Sequence, residues 1–202
     1  MELKPSGATL AVSNFTLVLF SEGAGATING EGLSQLFKVT NGGHVDLRHI
    51  HLKRGHAAAQ GGAMEITLAS ANLADCTISD CTSAGNSGGI QLRTAIMHMT
   101  RTTVTGCTAV NNAGFVRLLS SSKMTITDSE ITSCTSGNNG AALWVCFNSD
   151  MRVYQTTVTD NVAVRDFIGI FICAWVIIHT KWRASSAGWK WRCYLPDRRM
   201  SR

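Results

Sequence analysis

Apolar and polar residues alternate along most of this chain, and the apolar half of the alternation recurs at a fixed step. Ile66, Leu92, Leu118, Val145 and Ile172 form one series, Leu47, Leu73, Met99, Ile126 and Val153 a second, and Leu52, Ile78, Val104, Ile131 and Val158 a third. Each series advances by 26 or 27 residues, and its neighbours alternate in polarity, the period of two that marks strands with one buried face. Phe37 and Val39, Val18 and Phe20, and Ala26 and Ile28 are expected to carry the three columns backward. Helix is excluded in these stretches by the density of β-branched residues and the lack of a 3.6-residue pattern.

The intervening segments keep the same step. Cys76-Thr-Ile-Ser-Asp-Cys81-Thr-Ser-Ala-Gly-Asn86, Thr102-Thr-Val-Thr-Gly-Cys107-Thr-Ala-Val-Asn-Asn112 and Ser129-Glu-Ile-Thr-Ser-Cys134-Thr-Ser-Gly-Asn-Asn139 superpose, and Gln155 to Asn161 continues them. Gly, Asn and Ser lie between the strands, where tight bends and positive φ are needed. The pattern predicts an all-β fold: a parallel β-helix, or solenoid, of about five to six coils of 26–27 residues with three short strands per coil. Successive rungs then lie ~4.8 Å apart along the axis. Gln60, Asn86, Asn112 and Asn139 recur at one bend, as a stacked amide ladder would. Gly62, Gly88, Gly114 and Ala141 follow two residues later, where the returning chain needs a small residue.

Thr27-Ile-Asn-Gly-Glu-Gly, Leu36-Phe-Lys-Val, Val45-Asp-Leu-Arg-His-Ile-His-Leu and Gly61-Gly-Ala-Met resemble the opening coils of right-handed parallel β-helix proteins of the pectin-lyase-like superfamily. The pattern from Cys76 to Cys81 and Asn86-Ser-Gly-Gly-Ile90 is similar to the Gly-Gly-Ala-Ile repeats of polymorphic outer-membrane proteins. The likeness covers roughly residues 8 to 172. It implies a right-handed coil and an extracellular or cell-surface setting, but a superfamily that includes lyases, hydrolases and adhesins does not fix an activity. The superfamily's lyases use acidic calcium ligands with a proton-abstracting base, and its hydrolases use adjacent Asp residues. No Asp-Asp pair, Gly-His-Gly or Arg-x-Pro-x-x-Arg occurs here.

Charge separates the chain into two parts. The 202 residues carry a formal +5, yet residues 1 to 164 hold ten Lys/Arg against eleven Asp/Glu, and residues 165 to 202 hold eight against two. A near-neutral body argues against nucleic acid as a partner, because phosphate binding needs clustered cations on the folded surface. Four of the five Trp fall in residues 175 to 202, while twenty of the 21 Thr precede residue 161. Residues 1–172 are therefore expected to form the repeat domain and 173–202 an irregular, basic, Trp-rich tail; such a shift is also what a truncated or mistranslated gene end produces. Phe167 to Ile178 is uncharged but shorter than the ~20 residues a membrane helix needs, so no membrane span is favoured. No basic-then-apolar leader is visible, and the sequon Asn14-Phe-Thr16 is a weak sign of export.

Two outward rows carry the candidate chemistry. His49, Asp75, Arg101 and Asp128 recur at steps of 26, 26 and 27, placed by the alternation on the outside of the third strand. Carboxylates around an arginine suit a calcium ion or an acidic sugar, or form a charge-alternating ladder that keeps the face soluble. Glu65, Gln91, Arg117 and Trp144 set an aromatic platform beside an arginine, as in sugar-binding grooves, or a solvated face. His44, His49, His51 and His56 cluster loosely without a second ligand group of firm spacing, so no metal site is assigned. Cys81, Cys107 and Cys134 are equivalent on neighbouring coils and lack zinc spacing. They read as small buried core residues, though rung separation also permits a disulfide.

The expectation is a non-catalytic β-helix module of a surface or secreted protein, presenting a strand face for polysaccharide or a cell-surface protein. Glu65, Gln91, Arg117 and Trp144 are its binding residues, with no cofactor beyond a calcium candidate. The alternatives are a polysaccharide lyase or glycoside hydrolase acting through His49, Asp75, Arg101 and Asp128, or a fragment of a longer β-helix.

Overall fold

The computed structural model describes residues 1–164, together with the backbone of strands Ile170–Ile172 and Val176–His179. Of the tail expected over 173–202, residues 173–175 and 180–202 lie outside the described residues, and Val176–His179 is a strand rather than irregular. Among the described residues there is no helix. The chain winds as a parallel β-solenoid of about six turns, with every strand paired to its equivalent one coil away.

Three seven-stranded parallel sheets form the walls. The first runs through Met64–Thr67, Ile90–Arg93, Val116–Leu119 and Leu143–Val145, the second through His44–Arg48, Ser70–Ala74, Ile96–Thr100 and Lys123–Thr127, and the third through Ile50–Lys53, Thr77–Ser79, Thr103–Thr105 and Glu130–Thr132. The short segments His56–Ala57, Thr82–Ser83, Thr108–Ala109, Thr135–Ser136 and Val162–Ala163 make a five-stranded fourth sheet. Strands of two residues leave too little alternation to be told from a bend in the sequence. Val176–His179 pairs in parallel with Asp150–Tyr154.

The three apolar columns stack as their spacing requires. Leu92 is in register with Ile66 and Leu118, Met99 with Leu73 and Ile126, and Val104 with Ile78 and Ile131. All nine are buried, so each coil is sealed only by the coils above and below it. The first coil departs from expectation. Leu17 and Leu19 register with Val45 and Leu47, while Val18 and Phe20 face solvent at 52% and 69% exposure. Residues Leu17 to Phe20 are all apolar, so alternation there selects no face, and the pairing with the polar-flanked next strand decides it.

Corners turn on one or two residues in the left-handed region. Asp75, Asp80 and Ser87 turn one coil at φ 55°, 55° and 60°, and Leu68 precedes them at 52°. Such a conformation costs a residue with a Cβ about 1 kcal/mol or more. The cost is offset because the ladder runs on through the corner: the Asp75 and Asp80 amides donate to the Thr100 and Thr105 carbonyls, both at 3.1 Å. The corner between first and second sheets also explains the unequal step. It holds one left-handed residue at Leu68 and Thr94, but two at Asn41–Gly42, Ser120–Ser121 and Phe147–Asn148. The extra residue is taken up there, and the strands on either side keep their register.

Buried polar ladders run beside the apolar columns. Ser129 Oγ donates to the Thr127 carbonyl at 2.8 Å and accepts the Thr102 amide at 3.2 Å, and Thr156 does the same for the Tyr154 carbonyl and the Ser129 amide. Asn112 Nδ2 donates to Asn86 Oδ1 at 3.0 Å, and Asn139 donates to Asn112 Oδ1 through its amide NH2 and its backbone N–H. The expected amide ladder is thus formed from Asn86 to Asn139.

Candidate functional site

The outer face of the first sheet aligns Lys38, Glu65, Gln91, Arg117 and Trp144 in one row, each directly paired with the next. Each lies between two inward residues, as Gln91 does between Ile90 and Leu92, so the strand pleat points them all outward. Lys38 Nζ lies 3.7 Å from Glu65 Oε2. The Arg117 guanidinium lies over the Trp144 ring, 4.8 Å from its centroid, within cation–π range. The Trp144 indole N–H donates to Cys146 Sγ.

The middle of this row is not solvated. Gln91 is fully buried, and among the described residues neither its amide oxygen nor its amide nitrogen has a hydrogen-bond partner; the same holds for Arg117 Nε. An unpaired buried polar group costs about 1–3 kcal/mol, so two on adjacent rungs form a local energetic defect in an otherwise satisfied wall. Arg117 is half-buried, and that burial, followed by the nearby charge of Arg93, pulls its guanidinium below its usual basicity.

His49, Asp75, Arg101 and Asp128 do share one row, but it is the corner between the second and third sheets and not the third strand. All four adopt positive φ, 54°, 55°, 45° and 49°. The reason is legible in the spacing of buried residues: Leu47 to Ile50 and Leu73 to Cys76 are three apart instead of two, which strict alternation cannot span. Arg101 reaches back one rung to fork Asp75, and His49 Nε2 lies 3.9 Å from the same carboxylate. The Arg101 hydrogen bonds, above all, hold the Asp75 carboxyl below the usual carboxylate range.

This corner borders a shallow groove along the second sheet. Asp46, Arg48, Asn72, His98, Asp75 and Arg101 line its centre, and the exposed Val18 and Phe20 lie at one end. Asp46 is itself bonded by Arg48, at 2.7 Å to Oδ2. Each groove carboxylate is therefore already engaged by an arginine. At Asp75 that fork favours the ionised carboxylate and works against proton donation near neutral pH. It also takes both Asp75 oxygens, the ligands a calcium ion would need.

The histidines of the second coil have separate duties. His44, His51 and His56 each place Nδ1 against the hydroxyl of the residue 26 further on, Ser70, Thr77 and Thr82, at 2.7, 2.7 and 2.9 Å. They stand on three different sheets and join one coil to the next. Among the described residues no three His, Cys, Asp or Glu side chains converge as metal ligands would. Cys81, Cys107 and Cys134 are fully buried free thiols in one stack. Their mutual contacts and their burial push the Cys107 thiol well above its ordinary value, which removes nucleophilic character.

The chain matches no protein family, no curated protein and no solved structure. Among the described residues no helix is long and apolar enough to cross a membrane.

Proposed function

We propose that this chain is a non-catalytic β-solenoid module of a surface or secreted protein, whose first sheet presents its outer face to carbohydrate. The observation that carries the reading is the Arg117 guanidinium stacked 4.8 Å from the Trp144 ring beside Gln91, whose amide makes no hydrogen bond among the described residues. An aromatic flank with neighbouring amide and guanidinium donors matches the alternating C–H and hydroxyl surfaces of a sugar. The polar row on a rigid wall also loses little entropy when it binds.

Catalysis is disfavoured by the groove, where Asp46 and Asp75 are each held by an arginine. The lyase or hydrolase alternative keeps one supporting observation, that His49, Asp75 and Arg101 border that groove. Polysaccharide pull-down with the full chain tests the main reading. Retention that falls in Trp144→Ala and Arg117→Ala, with folding intact, supports it. A folded protein that retains no polysaccharide sinks it, and release of unsaturated or reducing ends that Asp75→Asn abolishes would install the enzyme instead.

A further inference from the structure

Three of the four buried side-chain atoms that lack a partner among the described residues belong to Gln91 and Arg117. The fourth, Gln60 Oε1, stands at a bend. Gln91 and Arg117 are directly paired across adjacent strands, and Arg93 projects from the same face two residues beyond Gln91, ~6.6 Å along the strand. Among the described residues neither Arg93 nor Arg117 has a carboxylate partner; the carboxylate of the row, Glu65, is engaged by Lys38. Two arginines without a carboxylate partner among the described residues therefore stand diagonally on adjacent rungs of one outer face, and burial first, then the Arg93 charge, lowers the basicity of the Arg117 guanidinium. The buried Gln91, whose amide has no partner among the described residues, shares a strand with Arg93 and is paired with Arg117. An unsatisfied buried group in an otherwise well-bonded protein calls for an explanation, and recognition of an ion or ligand is one of them.

We propose that Arg93, Gln91 and Arg117 form a subsite for a dianionic phosphate monoester. Charge chooses the ligand: two guanidinium cations are balanced by the ≈ −2 of a phosphate monoester near neutral pH and only half balanced by a carboxylate. Guanidinium forks pair with two oxygens at once, and the Gln91 NH2, without a partner among the described residues, is a further donor on the same face. The subsite rests on the carbohydrate reading of this face and specifies it as a phosphate-bearing saccharide.

Calorimetric titration of the full chain with glucose 6-phosphate, inorganic phosphate, glucuronate and glucose tests this. Glucose 6-phosphate is expected to bind at least tenfold more tightly than glucuronate, with affinity falling as the pH drops below the second phosphate pKa near 6. Inorganic phosphate equal to glucose 6-phosphate assigns the subsite to the dianion alone, and a tenfold preference for the sugar phosphate assigns it to both parts. Arg93→Gln, at an exposed position, should lose tenfold or more without a change in melting temperature. Gln91→Met should weaken phosphate binding while raising the melting temperature, because it removes an unpaired buried amide. Glucuronate binding as tightly as glucose 6-phosphate, or silence toward both phosphates in a protein that still retains polysaccharide, overturns the subsite and leaves the wider reading intact. Phosphate binding without any polysaccharide retention overturns the wider reading alone.

Discussion

Arg101 grips Asp75 from one rung further along the axis, Nε to Oδ1 at 2.7 Å and Nη2 to Oδ2 at 2.8 Å, while both residues hold left-handed backbone at adjacent corners. The pair staples two coils at the point where the strands are interrupted. Its effect on stability depends on ionisation. Because the native Asp75 carboxyl is depressed below its ordinary 3.8, the pair stabilises the fold at neutral pH, and that contribution is lost as acid carries the pH through the native value.

Asp75→Asn keeps a side chain that tolerates positive φ and removes the charge. The urea midpoint of the variant should therefore lie slightly below that of the parent at pH 7, and the gap should narrow as the pH falls below the ordinary Asp value of 3.8. A gap that stays constant across that range would mean the ion pair contributes nothing to folding.

Gly114→Ala should be among the most damaging single-methyl additions. The new Cβ would overlap the Ala141 carbonyl oxygen and stand 2.7 Å from the Thr135 amide nitrogen. These are backbone atoms of the next coil, which cannot rotate away, so the expected loss is about 1–3 kcal/mol or more, read by denaturant unfolding. An unchanged midpoint would show that the coils can part at this bend without cost.

Leu92→Ala should cost about 2–5 kcal/mol, as a leucine deleted from a close-packed stack does. Val18→Ala, on the solvent side of the first coil, should stay within about 0.5 kcal/mol. Equal effects at the two positions would contradict the register of that coil.

Cys76, Cys81, Cys107 and Cys134 are free and buried, and Cys107 in particular is far from forming a thiolate. Ellman's reagent should leave these four unmodified in the native protein and label them on unfolding, as peptide mass spectrometry can assign. Prompt native labelling of Cys107 would show that the stack opens to solvent.

The inward columns were legible because one physical demand, burial against the neighbouring rung, acts on Leu73, Met99 and Ile126 alike and leaves the same mark at each. The corners were harder to see. Asp75 and Arg101 look like outward strand residues until the three-residue gap from Leu73 to Cys76 is noticed. The ladder of Thr102, Ser129 and Thr156 was missed because a hydroxyl bonded to a carbonyl two residues back can be buried while reading as polar. Most of the candidate site was visible as a row of residue types. The burial of Gln91 was not, because alternation assigns a face to a side chain and says nothing of what covers that face.

The corner between first and second sheets, which accepts either one or two left-handed residues, gives the molecule a place for length change. An insertion within a strand would invert every side chain downstream of it. Here a single added residue is absorbed within the turn, as Ser120–Ser121 shows beside Thr94. That turn is accordingly the natural graft point for foreign peptide, and the seam along which such a coil can drift in evolution while its interior stays in step.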